Sequence, residues 1–360
     1  MKSLLKIKPC DNTFFRDGNQ FNFDIHEVIR SKNTPYPSVF FGAIFTALLA
    51  HNDEFRRAFF KKANYDHEKI LALQQVYLWD EKNKKAYIKA PLDLFINENG
   101  DVVFGEFKKV DSKLHSLSFE CFLQCPEDKN YKRVSNKYIN IKNIYDAYAK
   151  KQGIRLELKD ENEIFIKNYK IGIGINKNTK SIKHGNMYRI EQTEFINNNW
   201  SYVVEYEINR EYLETNYNGI DFDNLEQGYL KLGGENKVCK FEKHINEKIY
   251  KFHKKRLKEI NSNKVKILLT SETFFDEDVK DIFKGDLKLL GMVNDKPIHI
   301  GGYDMQGKGS ARKMYKGYDA GTILLVEGLN KKNVKKEICK KINRNNPKGF
   351  NQFVILEGDF

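Results

Sequence analysis

Phe14-Phe15-Arg16-Asp17-Gly18 brings two aromatic rings, a guanidinium and a glycine together, close behind Asp11. Arg pairs with phosphate or stacks on a base, Phe offers a stacking platform, and Gly lets a backbone approach a ligand closely. The same residues also suit a turn in which Phe14 and Phe15 are core and Arg16–Asp17 pin the chain. A second cluster runs Gly301-Gly302-Tyr303-Asp304-Met305-Gln306-Gly307-Lys308-Gly309-Ser310-Ala311-Arg312-Lys313. Gly302 to Lys308 has the spacing of a phosphate-binding P-loop. Gly309 stands where the metal-binding Ser or Thr belongs, and no helix pattern follows, so NTP hydrolysis is not expected. A basic loop whose amides and Lys308, Arg312 and Lys313 contact an RNA backbone fits better. Lys177, Lys180, Lys183 and His184 form a third cluster, on a turn that inserts along a nucleic-acid strand or is merely solvated. Leu232-Gly233-Gly234-Glu235 is the fourth, read as a bulge or a close backbone approach at a strand start.

Catalysis finds little support. None of the eight histidines has a metal-ligand spacing such as HExxH, and no GxSxG is present. His26 lies between the FFRDG loop and the first apolar helix. It could act as general base of a metal-independent ribonuclease, but proton transfer needs a partner group that the pattern does not supply. Cys121 and Cys125 are the one close pair among five cysteines. Without a second pair or a nearby His they do not read as a zinc site, and they equally suit a strand followed by Pro126. No metal or cofactor is expected.

The 360 residues allow two domains, and 40% hydrophobic content permits a sizeable core. Lys and Arg number 62 against 49 acids, a formal charge of +13. That surplus points to polyanions, nucleic acid first. A Lys/Asn/Ile-rich codon bias raises Lys too, yet would not leave the acids so far behind. No signal-peptide run or membrane-length apolar window occurs, so a cytoplasmic protein with reduced thiols and no membrane partner is expected.

These clusters need elements to hold them. Ser3–Lys8 reads as a first strand and Pro37–Ala50 as a buried helix, with Gly42 marking close packing. Residues 53–163 read as an insertion with a helical piece near Lys69–Leu73 and a strand near Gln75–Trp79. Lys170–Asn176 and Asn186–Phe195 alternate as a long hairpin around a connector at Lys177–Gly185. Tyr202–Ile208 is a strand, Asp221–Gly228 a short helix, and Leu230–Gly234 opens a strand through Phe241. Lys243–Ile260 has helical spacing and marks a boundary. Beyond it come strands at Lys264–Thr270, Lys296–Ile300 and Thr322–Glu327, a helix at Asn333–Lys341 and a last strand at Gly349–Leu356. The expected class is α+β: two tandem ferredoxin-like (βαββαβ) domains, 1–243 with the insertion and 244–360.

Taken together, the chain resembles one family: the RAMP-superfamily third subunit of the type III-B CRISPR effector, the Cmr complex. The family opening Asp-x-x-Phe-Phe-Arg-Asp-Gly-x-x-Phe is matched by Asp11, Phe14, Phe15, Arg16, Asp17, Gly18 and Phe21. Pro37, Gly42 and Ala43 match its first helix. Gly174, Ile175, Thr179, Gly185, Tyr188 and Arg189 match its strand-turn-strand. Leu232 to Glu235 and Ile300 to Asp304 match its two glycine segments. Where relatives often continue with Gly and Arg after Leu-Gly-Gly-Glu, this chain has Asn236-Lys237, and Lys237 could supply the basic contact. The FFRDG block favours type III-B over the equivalent type III-A subunit.

The resemblance implies a non-catalytic subunit that holds the repeat-derived 5′ tag of the crRNA. Its implied partners are the large polymerase-like subunit and the backbone RAMP subunits. Phe14, Arg16 and Gly18 are then expected near the tag, with Lys180, Lys183 and Arg189 along the hairpin. Gly233, Gly234, Gly302, Lys308, Arg312 and Lys313 are expected in the glycine loops. Two other readings remain open: a crRNA-processing RAMP endoribonuclease using His26, and a purely architectural subunit.

Overall fold

The alternation at the chain start becomes strand β1 (Lys2–Pro9), with Leu5 and Ile7 fully buried. It belongs to a computed structural model that describes residues 2–16, 28–62, 66–110, 119–125, 130–149, 156–218, 220, 225–256, 262–301, 303–304, 310–311, 313–329 and 333–357. The fold is α+β with sheets dominating, and the chain divides into two units. One holds Met1–Leu73, Asn162–His244 and His299–Met314; the other holds Gln74–Glu161, Ile245–Ile298 and Tyr315–Phe360.

In the first unit a two-residue strand β2 (Val28–Ile29) precedes helix α1 (Pro37–His51). Pro37 sits in the first turn of α1, where its missing N–H costs nothing. Phe40 meets the Tyr202 ring edge-on at 5.2 Å, and His51 meets Phe241 at 5.6 Å, so α1 covers the sheet face that carries those rings. Gly42, Thr46 and Ala50 form an exposed stripe along α1. Gly42 therefore corrects the close-packing expectation: a Cβ there would meet nothing within 4 Å.

Next come the hairpin strands β3 (Phe165–Ile175) and β4 (Ile182–Phe195), then β5 (Trp200–Ile208). The hairpin connector is shorter than expected. Asn176 gathers the turn by accepting from Lys180 N–H at 2.9 Å on its carbonyl and from Asn178 N–H at 3.0 Å on its side chain. Lys183 and His184 therefore lie in β4, not in a loop. Helix α2 (Arg210–Asn216), capped by the Asn209 side chain, was not expected from the sequence. The expected helix at Asp221–Gly228 fails at its end, because Gln227 and Gly228 belong to β6 (Gln227–Lys231); residues 221–224 lie outside the described residues. The LKLGG reading also changes. The segment ends β6, turns, and only then opens β7 (Val238–His244). These strands pair antiparallel in the order β5-β1-β7-β6, with Ile7 between Tyr202 and Phe241.

In the second unit α3 (Glu247–Arg256) buries Ile249 and Phe252, while Ile245 stands outside it, 76% exposed. A four-stranded antiparallel sheet follows: β8 (Lys264–Leu269), β9 (Leu287–Val293), β10 (Ile323–Gly328) and, after α4 (Val334–Lys341), β11 (Phe353–Leu356). Its order is β9-β10-β8-β11. The second strand corrects the sequence reading, since Ile298–Ile300 is only a short strand outside this sheet. A register shift between Leu289 and Gly291 breaks the alternation that would have revealed β9. Val334 and Ile338 of α4 pack with Val265, Ile267, Leu324 and Val326 in its core. Cys121–Gln124 is a strand, which favours the structural reading of that cysteine pair. The cysteines are free, and no metal-holding cluster occurs among the described residues. No described helix is long and apolar enough to cross a membrane.

Candidate nucleic-acid interface

The Phe14–Arg16 segment is held by backbone bonds on both sides. Thr13 and Thr193 exchange N–H···O bonds of 2.8 Å. The Phe15 carbonyl accepts from Lys32 N–H at 2.8 Å, Phe15 N–H donates to Ser31 Oγ at 3.0 Å, and Arg16 bridges to Ser31. The two phenylalanines divide the roles between them: Phe15 is core, whereas Phe14 is half-buried and Arg16 exposed.

The β6–β7 turn docks on this segment. Gly234 N–H donates to the Phe14 carbonyl at 2.9 Å. Gly233 has φ +79, and a Cβ on it would lie 2.7 Å from the Phe14 carbonyl oxygen and 2.8 Å from the Phe15 ring. A Cβ on Gly234 would lie 2.9 Å from the Phe14 ring. Glu235 and Asn236 also have positive φ, 59 and 54, so three of the four turn residues are left-handed. The close approach read from the paired glycines is thus to Phe14 and Phe15, and two sites far apart in sequence form one surface.

Charges hold its rim. Glu235 Oε2 accepts from Lys170 Nζ and from Gln192 Nε2, both at 3.0 Å, and the Lys170 ammonium is raised by that hydrogen bond. Lys237 Nζ lies 2.9 Å from Asp11 Oδ2 and, with the Asn12 N–H, holds the Asp11 carboxyl below its ordinary value. Lys237 is therefore engaged within the fold rather than standing open as the replacement basic contact. Sequence reasoning named Asp11 and Glu235 as members of motifs but gave no role to Lys170 or Gln192 and foresaw none of these pairings, for the physical reason that polar pairs across distant segments leave no local periodicity.

The hairpin carries a further face that the sequence hinted at only through its alternation. Tyr169, Ile171, Ile173 and Ile175 share one side of β3, and all are exposed, as is Met187 across from Ile173. Arg189 lies opposite Ile171, exposed on the same side, and pairs with Val28 of β2. On the other side the Tyr188 ring covers Gly172, where a Cβ would fall 2.1 Å from Tyr188 Cζ. Lys180 occupies the turn with φ +57 and is exposed. Thus Phe14, Arg16, Gly233 and Gly234 come together, with Lys170 of the hairpin tied to them through Glu235. Lys313 is exposed. Gly18, His26, Gly302, Lys308 and Arg312 lie outside the described residues. Around the last three, Tyr303–Asp304 pairs antiparallel with Ser310–Ala311.

Comparison with the curated proteins finds no match. Among solved structures, a chain of the type III-B Cmr-beta complex bound to cognate target RNA and AMPPnP shares the fold at TM-score 0.52 and 14% identity, over 98% of this chain and 99% of that one. A chain of Cmr-beta bound to cognate target RNA gives 0.49 and 14%, covering 89% and 86%. A chain of the Csm1-Csm4 cassette in complex with pppApA gives 0.31 and 11%, covering 90% and 87%. The family model "CRISPR-associated protein (Cas_Cmr3)" matches residues 5–358, nearly the whole length. The chain belongs to the Cas_Cmr3 family of type III-B CRISPR-associated proteins.

Proposed function

We propose that this chain is the non-catalytic RNA-binding subunit of a type III-B effector, that it holds the 5′ tag of the crRNA, and that it docks on the large polymerase-like subunit and the backbone RAMP subunits in the cytoplasm. The observation that carries the reading is the seating of the Gly233–Asn236 turn on the Phe14 carbonyl. It leaves the exposed Arg16 and half-buried Phe14 beside a turn rich in main-chain amides, which is the chemistry that grips a single-stranded backbone and stacks a base. Family membership and the likeness to Cmr-beta favour this class of complex. Of the finer architecture, two ferredoxin-like domains over 1–243 and 244–360, the second draws support from the β9-β10-β8-β11 order, with Val279–Ile282 and α4 as the two crossover helices.

Titration of the purified protein into a labelled RNA bearing a repeat-derived 5′ tag, beside a scrambled control, tests the function. Tag-preferring binding with intact RNA is expected, and Arg16→Ala should weaken it by about 1–3 kcal/mol, as for a charged hydrogen bond. An unchanged affinity would assign Arg16 to fold stability. Cleaved RNA would bring forward the endoribonuclease reading, with His26→Ala as the next variant. Tight subunit binding without RNA affinity would bring forward the architectural one.

A further inference from the structure

Alternation sorts β6 and β7 into two faces. Gly228, Leu230, Cys239 and Phe241 share the face covered by α1, and a Cβ on Gly228 would lie 3.0 Å from His51 Nε2. Gln227, Tyr229 and Lys231 of β6, with Val238, Lys240 and Glu242 of β7, share the outer face. Lys6 and Lys8 of β1 lie opposite Glu242 and Lys240, so they continue that face inward.

Two features of the outer face are not those of an ordinary solvated strand. Tyr229 is 67% exposed, more than any other aromatic among the described residues, with Val238 at 43% beside it. Across its own row lie Lys240, which is exposed, and Lys8, whose Nζ donates to the Asn198 carbonyl at 2.8 Å. Lys6, Lys8, Lys231 and Lys240 lie on this part of the face with one glutamate, Glu242, and that carboxylate is already bound by Lys6. Lys231 lies two residues before Gly233, so the face runs directly into the glycine turn.

We propose that this outer face is a second single-stranded RNA platform, with a base stacked on Tyr229 and phosphates held by Lys231, Lys240 and Lys8. The proposal rests on the RNA-binding reading of the glycine turn and extends its track across the sheet. The positive balance favours an RNA backbone over a protein strand added to the open edge of β6.

The full-length chain is titrated with a labelled single-stranded RNA carrying the repeat-derived 5′ tag. Tyr229→Ala should bind about five- to a hundredfold more weakly, the loss of one base stack, while Tyr229→Phe keeps the affinity. Lys240→Glu should flatten the salt slope by about 0.7. Should Tyr229→Ala fold poorly, a 4-thiouridine RNA on the wild-type chain should still crosslink within Gln227–Lys231. Wild-type affinity in Tyr229→Ala and Lys240→Glu, with Arg16→Ala weakened, would overturn the platform and leave the tag reading standing. Intact RNA affinity with lost large-subunit capture would overturn it in favour of a protein interface. A wild-type chain that binds no RNA overturns both.

Discussion

Two glycines that look alike in sequence carry opposite expectations. Gly233 needs φ +79, and an added Cβ would sit 2.7 Å from a main-chain oxygen that cannot swing away. Gly233→Ala should therefore cost roughly 1 kcal/mol for the left-handed backbone and more for the clash, and should weaken RNA binding by displacing Phe14. Gly42 lies on the exposed stripe of α1 with nothing within 4 Å of a Cβ. Gly42→Ala should stabilise by about 0.5–1 kcal/mol and leave RNA binding alone. Urea unfolding and RNA titration of both variants check the pair, and equal signs would refute the argument. Both glycines lie in segments that resemble one family, yet only one is held by packing. What faces a glycine is a tertiary fact, which is why the sequence reading assigned close packing to Gly42 and met open space.

Elements were legible where a period was sustained and lost where it broke. KIGIGIN announced β3, and the apolar run after Pro37 announced α1. The bulge at Leu289/Gly291 hid β9, and α2, only seven residues long, offered too short a pattern. The site followed the same rule: FFR and the glycine pair were visible, whereas the distant partners of Glu235 and Asp11, Lys170 and Lys237, were not paired with them. The hairpin shows what alternation alone leaves open, since one side of β3 keeps isoleucines in water while Gly172 on the other admits the Tyr188 ring. Ile171 and Ile173 are 55% and 45% exposed, so the fold gains little from them. The double variant Ile171→Ser, Ile173→Ser should melt within about 0.5 kcal/mol of wild type. Its entry into the reconstituted effector with crRNA should fall, because an exposed apolar ladder with Arg189 in its midst is the profile of a contact surface. Loss of stability with normal assembly would make the ladder a folding element instead.

At the scale of the whole chain, the 62 cations are less available than their number suggests. Many lysines are committed locally: Lys237 to Asp11, Lys170 to Glu235, Lys85 to Glu157, Lys89 to Glu161 and Lys137 to Asp160. Such pairs fix segments but offer a phosphate no uncompensated cation. The salt dependence of RNA affinity should accordingly report the uncompensated cations that touch the RNA and not the net charge, each single-strand contact adding about 0.7 to the slope. The segment between Gly301 and Lys313 gathers Lys308, Arg312 and Lys313 near a glycine pair, so part of the slope should reside there. Reversing Lys308 and Arg312 together should flatten it by up to about 1.4, two contacts' worth. Lys85→Glu, which attacks a lysine already bound to Glu157, should leave the slope unchanged even if it lowers stability. Affinity measured at several salt concentrations separates the cases. An unaltered slope in Lys308→Glu, Arg312→Glu would take this loop out of the RNA path, and a slope that flattened equally in Lys85→Glu would mean that the net charge, rather than a built track, holds the RNA.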